Sequence, residues 1–344
     1  MNNKIILILM LFLQTCLLAL KPSFPSENIK RLQDSPIFYD FKYGTDSTRI
    51  GLEKPILSYN ISAVHYNFPD SDTLNPLFKA KQSFEIAEGY VLMNDFKNAV
   101  TYYDRAFKLD NSNYDLLISQ GECYFKLNES KKGIALLKKY YKQCEGIYLY
   151  HWVLSKLYIG AGKEKKALDE IIKAHILNRN EQQIQAILDF CLMRLNLQSD
   201  MTRVYFENNI FMDKDTVQVY LYNYSKADSV MNTLTLVYSA CKALWMSDSV
   251  FVSEREIKTS DLGNFMASME IDAYNNMMIM SLSKPSLSHP MGEYYYRVLK
   301  ANMRLPFVLY EKILVDDPLF SAYVDSETLN QIFEYYRKFR IKKK

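Results

Sequence analysis

Side chains that perform acid–base or metal chemistry are scattered along this chain of 344 residues. Its four histidines are His65, His151, His175 and His289. None of them forms a His-x-x-x-His pair, the spacing by which a helix presents two imidazoles to one metal ion. The sequence also has no glycine-rich phosphate loop and no Gly-x-Ser-x-Gly nucleophile turn. It therefore predicts no catalytic residue, no metal site and no cofactor.

Sulfur-containing side chains are the other candidates for metal binding. Methionines cluster in one stretch, at Met266, Met269, Met277, Met278 and Met280. Thioethers bind Cu(I), but flexible methionines also fill helical cores, and we favour core packing. The cysteines beyond the leader are Cys123, Cys144, Cys191 and Cys241. Their spacings fit neither a zinc site nor a disulfide framework, so we expect buried free thiols.

The start of the chain, as far as Leu20, forms a separate segment, the leader. Lys4 precedes an almost unbroken apolar run from Ile5 to Leu20. This run suits a secretory signal and is shorter than the roughly 20 residues of a membrane-spanning helix. Three interpretations stay open: a cleaved signal peptide, which we favour, a lipoprotein leader acylated at Cys16, and an uncleaved anchor. Each predicts export to the periplasm or cell envelope, with membrane attachment only through the leader or a lipid.

Composition restricts the fold class and the partners. The hydrophobic fraction of 49% and the charged fraction of 24% are typical of globular proteins. Glycine and proline number ten each, which suits long helices joined by short turns. The net charge of +3 gives no indication of a basic surface for nucleic acid.

Residues 21–74 are predicted to form an irregular arm before the first long helix. Prolines interrupt this stretch at Pro22, Pro25, Pro36, Pro55 and Pro69. Asn75 and Pro76 then provide an N-cap and a first helical residue. Beyond the next helices, the apolar pattern of Val217, Tyr220 and Leu221 predicts more helix in 215–250.

Between these regions, small and aromatic residues recur at a fixed interval. The small residues are Ala99, Gly133 and Ala167 in one series and Ala87 and Gly121 in another, and the aromatic series is Tyr90, Tyr124 and Tyr158. Small residues at fixed positions let two helices approach closely, and the tyrosine fills the adjacent space. A period of this length, about 34 residues, is typical of stacked helix–turn–helix units.

These residues resemble the tetratricopeptide repeat family over about 80–181. The resemblance implies an all-α fold, a right-handed α-solenoid of antiparallel helix pairs with the irregular arm at its N-terminus. Residues 75–198 would be the repeats, and 199–344 degenerate helical repeats with a capping helix. The proline that usually closes each unit is replaced by Asn111, Glu145 and Arg179.

The resemblance also implies a concave groove lined by the first helix of each pair. The residues at groove positions include Phe84, Glu88, Ile118, Glu122, Phe125, Trp152 and Lys156. Aromatic residues surrounded by polar ones suit a bound peptide or helix. Phe84 and Glu88 stand where cochaperone members carry Lys and Asn, so we expect no carboxylate clamp. The alternative is that Phe84, Ile118 and Trp152 pack inside the protein.

Taken together, these patterns predict a non-enzymatic scaffold of the bacterial envelope that binds another protein. Two alternatives stay open. One is an enzyme with its site in the 200–340 half and the repeats as a docking module, which would need a pocket with converging polar groups. The other is a self-associating structural protein, a homo-oligomer.

Overall fold

The computed structural model describes residues 23–45, 75–202, 204–222, 228–255 and 262–344, without the side chains of 262–264. This part of the chain is mostly helical, as the sequence predicts, and also contains a few short strands. The leader, with Cys16, and residues 46–74 of the predicted arm lie outside the described residues.

The helices, in chain order, are α1 (Pro25–Asp34), α2 (Pro76–Leu92), α3 (Phe96–Leu109), α4 (Asp115–Lys126), α5 (Ser130–Lys139), α6 (Tyr141–Cys144), α7 (Tyr148–Gly160), α8 (Glu164–Leu177), α9 (Gln182–Arg194), α10 (Ser229–Ser247), α11 (Ser249–Ser253), α12 (Leu262–Ser283), α13 (Pro290–Lys300), α14 (Arg304–Val308), α15 (Leu314–Asp316) and α16 (Ser326–Tyr335). The strands are β1 (Phe38–Tyr43), β2 (Leu197–Ser199), β3 (Asn208–Asp213), β4 (Thr216–Leu221) and β5 (Ile341–Lys343). Tighter or wider helical turns span Pro285–Leu287, Leu309–Ile313, Pro318–Tyr323 and Tyr336–Arg340.

The described residues divide into two compact units. The first, the sheet unit, contains residues 23–45 and the described part of 201–317. The second, the repeat unit, contains 75–200 and 318–344. The predicted boundary near 198 lies close to the observed one at 200. The C-terminal segment 318–344, however, belongs with the repeats and not with the segment that precedes it.

The repeat unit begins as the sequence predicts. Asn75 caps α2, its side-chain oxygen accepting a hydrogen bond from the Leu77 N–H at 2.9 Å, and Pro76 is the first helical residue. Helices α2 and α3, α4 and α5, and α7 and α8 pack as consecutive pairs. The second helices of these pairs start at Phe96, Ser130 and Glu164, which are spaced by the same period as the small residues.

A residue in the left-handed conformation ends the first helix of each pair. These residues are Asn94, Asn128 and Gly162, with φ of 59°, 57° and 69°. The following N–H donates back to the carbonyl of Tyr90, Tyr124 or Tyr158, at 2.8, 2.9 and 2.8 Å. This is the Schellman arrangement, which ends a helix and satisfies carbonyls of its last turn. Asn196, at φ 54°, continues the series one period later, after α9.

The small repeat residues lie where helices touch. Ala87, Ala99 and Ala167 have no exposed surface. At Gly133, an added Cβ would lie 2.7 Å from the side chain of Leu157, so the glycine permits this close approach. Tyr158 is buried, while Tyr90 and Tyr124 are half-buried. The packing predicted from the periodic series is therefore observed in all three pairs.

The C-terminal segment completes the repeat unit. Helix α16 packs on α8, where Arg337 lies 3.2 Å from Asp169 and the ring centroids of His175 and Tyr336 are 5.7 Å apart. Strand β5 pairs antiparallel with β2. The sequence predicts a final helix in this segment, and α16 is present there. Its N-cap is Asp325.

The sheet unit differs from the sequence predictions. Residues 199–344 are expected to be degenerate helical repeats, but the described part of 201–317 forms a unit with residues 23–45 and contains strands β3 and β4. Residues 23–45, expected to be irregular, contain α1 and β1. Pro25 lies at the start of α1, where it breaks no hydrogen bond. Residues 216–221, expected to be helical, form β4 because Val217, Val219 and Leu221 alternate toward the core. Apolar residues at 217, 220 and 221 fit both periods over so short a stretch.

The three-stranded sheet has the order β1-β4-β3, with β1 parallel and β3 antiparallel to β4. One face packs on α10, around the buried Val217, Val219 and Ala243. Helix α12 is buried among α10, α13 and α14. Of its clustered methionines, Met269, Met277 and Met278 are at most 3% exposed, as core packing predicts, whereas Met266 is 39% exposed and Met280 is half-buried.

Candidate functional site

The groove positions of the second and third helix pairs come together in one cluster on the repeat unit. Glu122 and Phe125 lie on α4, and Trp152 and Lys156 lie on α7, which packs against α4. The Lys156 ammonium nitrogen lies 2.5 Å from Glu122 Oε1. It also lies 4.7 Å from the Trp152 ring centroid and 5.1 Å from that of Phe125. We call these four residues the Lys156 cluster.

The Lys156 cluster holds a partly dehydrated charge. The Lys156 side chain is 16% exposed and that of Glu122 is 29% exposed. Two aromatic faces and one carboxylate surround the ammonium group and replace much of its water. The cluster is therefore an ordered polar feature at the predicted groove positions.

Two polar atoms of the cluster have no hydrogen-bond partner among the described residues. These are Trp152 Nε1, a donor, and Glu122 Oε2, an acceptor, and both atoms are buried. Leaving a buried polar atom unpaired costs about 1–3 kcal/mol. The Lys156 cluster therefore contains one unpaired donor and one unpaired acceptor within the described part of the chain.

Glu88 occupies the equivalent position in the first helix pair but has a different partner. Its carboxylate accepts a hydrogen bond from the buried Tyr103 hydroxyl. Burial, followed by the Glu88 hydrogen bond, raises the pKa of Tyr103. Glu88 is thus used within its own helix pair and does not join the Lys156 cluster.

Phe84 and Ile118 are not surface residues. The ring centroids of Phe84 and Tyr103 are 6.3 Å apart. Phe84 is 7% exposed and Ile118 is 1% exposed. Their apolar side chains are placed inside, where burial is worth about 1.5–3 kcal/mol each. The prediction that they contact a partner is therefore wrong for this structure, and the alternative of internal packing applies to them. Trp152 is half-buried.

Two exposed apolar residues at the next groove positions were not predicted from the sequence. Phe190 and Met193 lie on α9 and are 40% and 58% exposed. Phe190 follows Lys156 by one period, and Met193 follows Phe125 by two periods. Extending the periodic series by one unit would have identified them. Asn196, the left-handed residue that ends α9, supports this register.

His151 forms a polar contact that resembles a catalytic pair but is closed to substrate. Its Nδ1 lies 2.6 Å from Glu170 Oε2 and its Nε2 lies 2.8 Å from the Glu145 carbonyl oxygen. The His151 side chain has no exposed surface. Both ring nitrogens are occupied, so the pair connects α7 and α8 and stabilises their packing.

Buried polar side chains of the sheet unit form a second network, centred on Asp272. The Asp272 carboxylate accepts from the Ser23 N–H at 3.1 Å, the Ser23 hydroxyl at 2.8 Å and Trp245 Nε1 at 3.0 Å. Arg255 Nε lies 3.5 Å from Asp272 Oδ2. Asp272 and Ser23 have no exposed surface, so the network is internal. It holds the start of the described chain against α12.

The enzyme alternative requires a pocket with converging polar groups in the 200–340 half. One cavity of about 730 Å³ in the sheet unit has charged walls, including Arg31, Asp248 and Glu254. Arg31 lies 2.6 Å from Asp248 and 2.9 Å from Glu254, so these charges are paired with one another. A second cavity of about 560 Å³, between α1, β1 and α10, is mainly apolar.

The four cysteines that the structure describes, Cys123, Cys144, Cys191 and Cys241, are free and buried, as predicted. Burial raises the pKa of Cys123 to about 12 and that of Cys191 to about 11, which keeps these thiols protonated. Among the described residues, no group of three or more His, Cys, Asp or Glu side chains is placed to bind a metal ion. No helix within the described ranges is both long and apolar enough to cross a membrane.

Comparison with known proteins does not assign the chain to a family. No model of a protein family matches the chain, and no curated protein matches its sequence.

Proposed function

We propose that the chain is a non-enzymatic, protein-binding scaffold of the bacterial cell envelope. In this proposal the repeat unit is a right-handed, tetratricopeptide-like α-solenoid. Its concave surface holds a peptide or helix of a partner protein, and the leader exports the chain. The Lys156 cluster is the observation that carries the proposal, because it unites four predicted groove residues with two unpaired polar atoms.

The exposed apolar residues at the next groove positions give the partner a contact surface. Phe190 and Met193 are large and exposed, and they share repeat positions with Lys156 and Phe125. A segment that buries them gains about 25 cal/mol for each Å² of apolar surface removed from water. Trp152 Nε1 and Glu122 Oε2 are buried as well as unpaired, so in this proposal a bound main chain pairs with them only after the side chains of the Lys156 cluster move.

The test is site-specific photo-crosslinking of the full chain in envelope extract. A benzophenone amino acid replaces Phe190 in one variant. In the control variant it replaces Tyr323, an 80% exposed residue of the repeat unit that lies outside the groove positions. We expect a discrete adduct from position 190 and none of the same mass from position 323.

Trp152→Ala in the position-190 variant should abolish this adduct, while the far-ultraviolet circular dichroism stays unchanged. Equal labelling at both positions would refute the groove. An adduct that persists after Trp152→Ala would show that the Lys156 cluster takes no part in binding.

A further inference from the structure

Strand β1 is an edge strand of the described part of the sheet. The Phe38 N–H donates to the Asp215 carbonyl and the Gly44 N–H to the Leu221 carbonyl, both at 2.9 Å. In a parallel ladder, alternate residues point their main-chain groups to the same neighbour. The even-numbered residues of β1 therefore face β4, and the N–H and C=O groups of Tyr39 and Phe41 point away from it.

The outer edge of β1 is held in place by its side chains. The Tyr39 hydroxyl lies 2.9 Å from Ser247 Oγ on α10, and Tyr39 and Phe41 pack against the core of Val217, Val219 and Ala243. The strand edge is thus preorganised for pairing, which lowers the entropy cost of binding another strand.

Charges of opposite sign lie on either side of Phe41. Asp40 and Lys42 are on the face away from α10, and their charged groups lie 2.5 Å apart. A lone charge at the strand centre would face its own copy across a two-fold axis and repel it. Here, antiparallel pairing centred on Phe41 places Asp40 of each copy opposite Lys42 of the other, which gives two equivalent pairs of opposite charge.

The main-chain geometry agrees with this register. Phe41 would pair with the second copy's Phe41. The main-chain N–H and C=O groups of both residues point away from β4, so the two residues would exchange two hydrogen bonds. Asp40 and the second copy's Lys42 would then form a non-hydrogen-bonded pair, in which Cα atoms approach to about 4.5 Å and side chains are closest. Shifting the centre to Asp40 would instead oppose two aspartates, which is unfavourable.

We propose that the chain forms a two-fold symmetric dimer in which β1 pairs antiparallel with β1 of a second copy, centred on Phe41. Phe38, which is 65% exposed at the start of β1, lies at the rim of this contact. The dimer uses the sheet unit and is independent of the groove on the repeat unit.

The test uses two full-length copies with different affinity tags, co-expressed and co-purified. The wild-type copies should be recovered together. Asp40→Lys alone gives two lysines on each strand and Lys42→Asp alone gives two aspartates, so either variant paired with itself should lose about tenfold in recovery. Asp40→Lys paired with Lys42→Asp should restore recovery, because lysines then face aspartates.

The double variant Asp40→Lys/Lys42→Asp restores the charge pattern within one chain and should also associate. Circular dichroism controls for folding. Three results would overturn the dimer: no co-recovery of wild-type copies, undiminished self-pairing of either single variant, or failure of the mixed pair to recover. An extended strand of another protein would give the first of these results.

Discussion

The ammonium group of Lys156 lies 2.5 Å from the carboxylate of Glu122, a residue 34 positions earlier in the chain. The two residues thus occupy the same position in consecutive helix pairs. Opposite charges at one repeat position connect neighbouring first helices, α4 and α7. The aromatic faces of Phe125 and Trp152 add cation–π contacts to the same ammonium group.

This relationship predicts measurable coupling between Glu122 and Lys156. In a double-mutant cycle with Glu122→Gln and Lys156→Met, we expect a coupling free energy of about 0.5–1 kcal/mol, because the pair is only partly exposed. The Glu129–Lys132 pair is the control, since its side chains are 40% and 65% exposed. Its cycle should give about 0.3 kcal/mol or less. Equal coupling in both cycles would contradict the role of burial.

The left-handed turn at Gly162 predicts a backbone effect without a packing effect. An added Cβ at Gly162 meets nothing within 4 Å, but the residue has φ of 69°. Gly162→Ala should therefore lower the free energy of unfolding by about 1 kcal/mol. Gly146 has equal space and no positive φ, so Gly146→Ala should be neutral or stabilising. Urea denaturation compares the two, and similar losses would argue against the turn geometry.

We predict that a large side chain at Ala167 overpacks a helix pair and destabilises the repeat unit. The residue has no exposed surface where α8 packs on α7. Ala167→Arg adds a large charged side chain there and should cost at least about 3 kcal/mol. Lys165→Arg, at an exposed position of α8, should stay within about 0.5 kcal/mol of wild type. Thermal melting would reveal the difference, and a wild-type melt for Ala167→Arg would refute the repeat register.

From the hydrogen bonds around Asp272, we predict that removing its carboxylate strongly destabilises the sheet unit. Asp272→Ala leaves the Trp245 N–H and the Ser23 hydroxyl without their buried acceptor, and it removes the carboxylate that lies 3.5 Å from the buried Arg255 Nε. We expect a loss of about 3–5 kcal/mol and a shift in Trp245 fluorescence. Glu293→Ala, at an exposed position of α13, is the control and should change stability by less than about 0.5 kcal/mol. Wild-type stability of Asp272→Ala would exclude a structural role for the network.

We predict that the buried His175 makes the folded protein less stable in acid. Burial, with a smaller contribution from Arg179, lowers the pKa of His175 to about 3 from the ordinary 6.5. Below pH 6.5 the unfolded chain binds a proton at this site and the folded chain does not, so stability falls as the pH decreases toward 3. This histidine should account for about 2 kcal/mol between pH 7 and pH 5.

The measurement is urea denaturation of wild type and His175→Leu at both pH values. The variant should lose about 2 kcal/mol less than wild type on acidification, whatever its stability at pH 7. An identical loss in both proteins would show that His175 protonates equally in the folded and unfolded states.

Local signals in the sequence determined most of the repeat unit. The periodic series located the helix pairs because small residues permit close helix contact. The Asn or Gly residues at positive φ follow the same period, and the structure revealed their role in ending the first helices. Asn75 and Pro76 located the first long helix. The aromatic and charged residues of the Lys156 cluster were also identified, since their positions follow from the same repeat.

Only the tertiary structure decided which of these residues are exposed and how distant segments pair. Phe84 and Ile118 are as apolar as Phe190, yet the first two are buried, because neighbouring elements cover one position and not another. Strand β1 pairs with β4, although residues 75–200 of the repeat unit lie between the two strands in the chain. Ser23 likewise forms a hydrogen bond with Asp272, which is distant in the chain. A local pattern specifies a backbone conformation and an apolar face, but the partner of that face depends on the whole chain's packing free energy.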